Sequence, residues 1–85
     1  MSQIEIYTTT SCPYCVKAKH LLKLKNLEFT EINLDHGKIT REELKDLSGG
    51  RTTVPQIFIN GAHIGGSDDL YELEKIGELD KILGI

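Results

Sequence analysis

Eighty-five residues, at the usual ~100–200 per domain, leave room for one domain spanning residues 1–85 and for no separate regulatory or targeting module. With 39% hydrophobic and 27% charged residues the chain has the composition of a folded domain, and a net charge of −3 argues against a general attraction to nucleic acid phosphates. Its apolar runs, such as Ile57-Phe58-Ile59, fall far short of the ~20 residues a membrane span needs, and Met1 to Ser11 alternates where a secretion signal needs a basic start and an apolar run, so a reducing cytoplasm is expected.

Gln3 to Thr8 alternates Ile4 and Ile6 with Gln3, Glu5 and Tyr7, the period of a half-buried first strand. From Cys12-Pro13 the period becomes helical. Cys15, Ala18, Leu21 and Leu22 share one face, and Lys17, Lys19, His20 and Lys23 form a basic face that is solvated or steers acidic partners. Pro13 suits the first helical turn, where its missing N–H would have had no partner. Glu28 to Leu34 reads as a second strand, with a change of phase between Phe29 and Ile32.

Thr40 and Glu43 have capping-box spacing, and Leu44 and Leu47 supply the apolar stripe of a short helix that Gly49-Gly50 stops. Gln56 to Ile59 has a buried-strand pattern, and Asn60-Gly61 predicts a hairpin into Ala62 to Ile64. Ser67 is expected to cap a last helix containing Leu70, Leu73 and Ile76, with Asp68 and Asp69 in its positive first turn and Gly77 at its end. Leu79, Ile82 and Leu83 continue as another helical turn. The order β-α-β-α-β-β-α predicts an α/β fold. The first two strands run parallel through a right-handed crossover and the last two form a hairpin, giving a mixed four-stranded sheet flanked by helices.

The chemistry is expected at Cys12 and Cys15, two residues apart between a strand and a helix, a spacing that reads as a redox dithiol in a reducing compartment. Cys12 lies at the helix start, where free N–H groups and the helix dipole stabilise a thiolate and lower a thiol pKa from ~8.5 into the ~3.5–7.5 range. It is the expected nucleophile. Cys15 falls on the apolar face one turn inside and suits the role of resolving thiol. Two competing readings are a pair of structural cysteines, which leaves the polar helix start unexplained, and structural zinc. Zinc needs about four ligands, whereas only Cys12, Cys15 and one of His20, His36 or His63 could serve.

Cys12-Pro13-Tyr14-Cys15, Thr53-Val54-Pro55 and Gly65-Gly66-Ser67-Asp68, in that order, resemble the signature of the dithiol glutaredoxins, and the likeness covers the whole chain. Thioredoxins are less similar, since they typically carry Trp-Cys-Gly-Pro-Cys and this chain has no Trp. The resemblance implies a thioredoxin-like fold and glutathione as co-substrate, with no permanently bound cofactor and no metal. It also implies glutathione reductase with NADPH upstream, and disulfide-bonded or glutathionylated proteins, ribonucleotide reductase among them, as partners of a cytoplasmic monomer.

It further implies a glutathione site. A cis Val54-Pro55 bond in the Thr53-Val54-Pro55 motif would leave the Val54 N–H and C=O free for the cysteinyl part of the tripeptide. The helix start at Gly66 and Ser67 would receive the γ-glutamyl carboxylate, with Asp68 facing the nearby ammonium. Arg51 would hold the glycyl carboxylate with its fork, and Tyr14 would lie over the bound tripeptide. Thr9 stands three residues before the nucleophile, where many members carry a lysine that helps hold the thiolate and the glycyl carboxylate. Ser67 stands where close relatives often have a third cysteine. Two rival functions share these motifs: a hydrogen donor reduced by thioredoxin reductase, and a dimer sharing an iron–sulfur cluster between two Cys12 thiolates and two glutathiones.

Overall fold

The N-terminal alternation becomes strand β1 (Ile4–Thr8), in which Ile4, Ile6 and Thr8 are buried and Glu5 and Tyr7 half-buried. The structure, a computed structural model, describes residues 3–37 and 39–84. Helix α1 (Pro13–Leu24) follows, with Pro13 at its first position and Cys15, Ala18, Leu21 and Leu22 buried along one face. Asn26, at φ 58°, ends it, and the Leu27 N–H returns to the Leu22 carbonyl at 3.0 Å, closing the last turn.

Strand β2 (Thr30–Asn33) is shorter than the Glu28–Leu34 segment expected. Asn33 folds its side-chain oxygen onto the Asp35 N–H at 2.9 Å, which competes with strand pairing and opens a 3-10 turn over Leu34–His36. Helix α2 (Arg41–Leu47) starts in the expected capping box. The Glu43 N–H donates to Thr40 Oγ1 at 3.1 Å and the Thr40 N–H to Glu43 Oε1 at 3.3 Å. Its expected apolar stripe is only half present: Leu44 is fully buried but Leu47 is exposed. The helix stops after seven residues, and the buried place passes to Ser48, whose Oγ lies 2.7 Å from the Leu44 carbonyl and 2.6 Å from that of Arg51.

Strand β3 (Gln56–Ile59) is buried at all four positions and turns through Asn60 and Gly61, at φ 52° and 83°, into strand β4 (Ala62–Gly65). Two successive left-handed residues are what a tight hairpin with the right-handed strand twist requires. Helix α3 (Ser67–Lys75) differs from expectation at its start. Gly66, not Ser67, is the N-cap, because Asp69 reaches back to accept the Gly66 N–H at 2.9 Å. Ile76, expected on the buried stripe, is exposed. It sits past the last turn of α3, just before Gly77 (φ 79°) redirects the chain into helix α4 (Glu78–Leu83).

The sheet order is β2-β1-β3-β4; β1 runs parallel to β2 and β3 antiparallel to β4, as the sequence predicts, and the structure adds an antiparallel pairing of β1 with β3. Ile4, Ile6, Ile57 and Ile59 pack on one face against Leu21 and Leu22 of α1, Leu70 of α3, and Leu79 and Leu83 of α4. Each such side chain contributes about 1.5–3 kcal/mol by leaving water. Lys25 ties the end of α1 to the C-terminal helices through Glu74 (2.9 Å) and Asp80 (2.6 Å), and these two carboxylates raise its pKa above the ordinary lysine value. The registers Tyr7↔Gln56 and Ile57↔Gly65 bring the end of β1, the start of β3 and the end of β4 to one edge. The loops into α1 and α3 leave from that edge.

Candidate active site

Two hydrogen bonds shape the approach from β1 to α1. The buried Thr8 hydroxyl donates to Glu31 Oε2 at 2.7 Å, and this bond, helped by Lys19 at 3.0 Å, lowers the Glu31 pKa. The Thr10 N–H donates to Asp35 Oδ2 at 2.8 Å, lowering the Asp35 pKa and pinning the loop two residues before the first cysteine.

Cys12 is the N-cap of α1. Its extended backbone (φ −138°, ψ 97°) turns Sγ back over the helix start, where the Cys15 N–H donates to it at 3.1 Å. Cys12 and Cys15 are joined in a disulfide, with Cα atoms 5.2 Å apart. Cys12 is 8% exposed and Cys15 1%, so the sulfur nearer the solvent belongs to the residue at the helix start. On its other side Cys12 Sγ lies 3.7 Å from the Val54 carbonyl oxygen, and the Val54-Pro55 bond is cis.

Beside the disulfide a cleft of about 250 Å³ is lined by Tyr14, Arg51, Thr53, Val54, Pro55, Gly66, Ser67, Asp68 and Asp69. All eight residues proposed from sequence to hold glutathione meet here, although they come from three separate stretches of chain. Thr9 is not among the lining residues. Tyr14 is 57% exposed at the rim, with Lys17 Nζ 5.4 Å from its ring centroid. The Arg51 loop is anchored by Arg41, whose Nη1 donates to the Thr52 carbonyl at 2.6 Å. Gly66 faces the same loop: a Cβ there would stand 3.4 Å from the Pro55 carbonyl and 3.6 Å from Arg51 Nη2, within ordinary contact.

Two residues that bear on the site were given no role in it by the sequence. Asp69 Oδ2 accepts from both the Gly66 N–H and Arg51 Nη1 (3.1 Å), so Arg51 is already paired across the cleft. These two donors, the backbone one foremost, lower the Asp69 pKa. An acidic residue three positions after a glycine at the helix start was the available signal. Gln56, read only as part of a buried strand, is fully buried and donates from its amide to the Thr53 carbonyl at 3.0 Å. A polar residue heading an otherwise apolar strand was the only hint.

The Glutaredoxin family model matches residues 4–64. Glutaredoxin 3 of Escherichia coli (strain K12) is 53% identical over 83 residues, covering 98% of this chain and 99% of that protein. Glutaredoxin 1 of Rickettsia prowazekii (strain Madrid E) is 54% identical over 83 residues, covering 94% of this chain and 85% of that protein. Among solved structures, a buckwheat glutaredoxin-glutathione complex superposes with a TM-score of 0.89 at 30% identity, covering 98% of this chain and 77% of that one. Fold, cysteine pair and sequence agree: this chain belongs to the glutaredoxin family of glutathione-dependent thiol-disulfide oxidoreductases, with a thioredoxin-like fold.

Proposed function

We propose that Cys12 is the attacking sulfur and that the adjoining cleft binds the glutathionyl half of the substrate. The observation that carries this reading is the placement of Cys12 Sγ at the start of α1, accepting the Cys15 N–H and lying 3.7 Å from the carbonyl oxygen of Val54, which lines the cleft. Once the disulfide is reduced, the same N–H and the helix dipole favour the Cys12 thiolate.

With a glutathionylated protein, the Cys12 thiolate attacks the glutathione sulfur. The protein leaves as a thiolate that takes up a proton, and Cys12 is left joined to glutathione. A second glutathione, as thiolate, attacks the glutathione sulfur of that mixed disulfide, forming glutathione disulfide and returning the Cys12 thiolate. With a protein disulfide, Cys12 forms the mixed disulfide. Cys15 then gives up its proton and attacks Cys12 Sγ, which releases the protein as a dithiol and leaves the Cys12–Cys15 disulfide that two glutathiones reduce.

In the cleft, the Val54 N–H and C=O pair with the cysteinyl backbone, Thr53 and Pro55 hold that segment in place, and the N–H groups at Gly66 and Ser67 receive the γ-glutamyl carboxylate. Asp68 faces the ammonium. Arg51 shares its fork between Asp69 and the glycyl carboxylate, and Tyr14 covers the tripeptide. The protein acts as a cytoplasmic monomer on disulfide-bonded or glutathionylated proteins, with ribonucleotide reductase as one candidate, and holds no cofactor permanently.

Reduction of a glutathionylated peptide, coupled to glutathione reductase and NADPH, tests the assignment. Cys15→Ser is expected to keep this activity and Cys12→Ser to lose it. Full activity in Cys12→Ser overturns the roles, and reduction of the disulfide by thioredoxin reductase alone overturns glutathione as the reductant.

A further inference from the structure

Gln56 opens β3 with a polar side chain that is fully buried. Its amide is satisfied on both sides. Nε2 lies 3.0 Å from the Thr53 carbonyl oxygen and 3.2 Å from Thr53 Oγ1, while Oε1 lies 2.7 Å from Nε2 of His63 on β4. A carbonyl only accepts, so the Gln56 amide nitrogen must face Thr53 and its oxygen must face His63. That oxygen in turn needs a donor, which fixes the proton of His63 on Nε2. The His63 ring is itself held against Phe58, with centroids 5.0 Å apart. An ordered chain of contacts thus runs from an exposed residue on the edge strand, through the interior, to the backbone of the cleft.

In a trans peptide the C=O and N–H point to opposite sides of the same plane. The Thr53–Val54 peptide is trans. Fixing its carbonyl on the buried Gln56 amide therefore turns its N–H, that of Val54, away from the interior and toward the cleft that Thr53 and Val54 line. Among the described residues none accepts a hydrogen bond from this N–H.

We infer that Gln56 and His63 are positioning residues that aim the Val54 N–H into the cleft and so set the affinity for the cysteinyl backbone of glutathione. The inference rests on the reading of the cleft as the glutathione site. Neither side chain belongs to the cleft lining, and each acts through the backbone of Thr53.

The test measures KM and kcat for a glutathionylated peptide. His63→Phe keeps a ring against Phe58 but removes the donor, and is expected to raise KM about threefold; Gln56→Met is expected to raise it about tenfold, both with kcat changed less than about twofold. The double variant should match Gln56→Met alone, because His63 acts only through Gln56. His63→Gln returns a donor to the same place and should bring KM back toward wild type. If Gln56→Met does not fold, the two His63 variants, on an exposed position, carry the comparison. An unchanged KM in His63→Phe, or an equal rise in His63→Gln, overturns the inference. Asp68→Asn separates the two layers. If it raises KM while the Gln56 and His63 variants do not, only this inference falls; if none of them changes KM, the cleft is not the glutathione site and both readings fall.

Discussion

Asp69→Ala removes a carboxylate that accepts the Gly66 N–H at 2.9 Å and Arg51 Nη1 at 3.1 Å. A hydrogen bond to a charged group contributes about 1.5–3 kcal/mol when dry, and here the side chains of Asp69 and Arg51 are 47% and 46% exposed, which reduces the backbone bond to about 1 kcal/mol. The ion pair, screened by solvent, adds about 0.5 kcal/mol, and the charge at the positive end of α3 about another 0.5 kcal/mol. The loss is therefore about 2 kcal/mol at pH 7, read in urea as a midpoint lowered by about 2 M for a domain with a slope near ~1 kcal/mol per M. Because the folded protein holds the Asp69 pKa below its ordinary value, its ionised form stabilises the fold above that ordinary value, and the contribution is lost as pH falls through the folded pKa. The gap between wild type and Asp69→Ala should accordingly shrink as the pH is taken below the ordinary aspartate range. Asp69→Asn, which keeps an acceptor for the Gly66 N–H, should cost about half as much and show little pH dependence from this site. A gap that stays constant throughout an acid titration in which the protein remains folded, or an Asn variant as costly as Ala, would refute the reasoning.

Gly65→Ala meets two obstacles, a backbone at φ 125° and a Cβ that would overlap the Asp69 carboxylate, and should destabilise the protein by about 2–4 kcal/mol. Combining it with Asp69→Ala removes the carboxylate from the overlap but leaves the Cβ of residue 69, 2.9 Å from the new methyl, and the backbone strain, so denaturation of the double variant should show less than the sum of the two losses. The Thr10 amide proton resonance should follow the ionisation of Asp35, with a midpoint below the ordinary aspartate value, and Asp35→Asn should abolish that titration in an NMR series.

The parts of this fold that were legible are those decided by neighbours in sequence. The Cys12-Pro13 helix start, the Thr40/Glu43 capping box and the Asn60-Gly61 turn each settle within four residues, and each is found where its spacing places it. Helix ends were less readable: Leu47 is the last residue of α2 and Ile76 lies one past α3, and both continue an apolar pattern yet are exposed. At the start of α3 two arrangements competed, a side-chain cap from Ser67 and the return of the Asp69 carboxylate to the Gly66 N–H. Arg51, distant in sequence, stands across the cleft on the same Asp69 oxygen, a contact no local pattern announces. Gln56 is the clearest case of hidden information, since its partners lie three and seven residues away and only strand pairing brings His63 over it.

Because β1 lies between β2 and β3, the first thirty-odd residues cannot complete their own sheet. Pro55 follows Cys15 by forty positions, so at synthesis rates of about 5–20 residues per second the nascent chain holds both sulfurs for roughly 2–8 s before the far wall of its groove has been translated. Until residue 51 is reached, of the residues that line the cleft, only Tyr14 has been made. Whatever shape the cleft presents to a partner is therefore settled by residues 51–69, which the ribosome delivers last but for the remainder of the C-terminal helices.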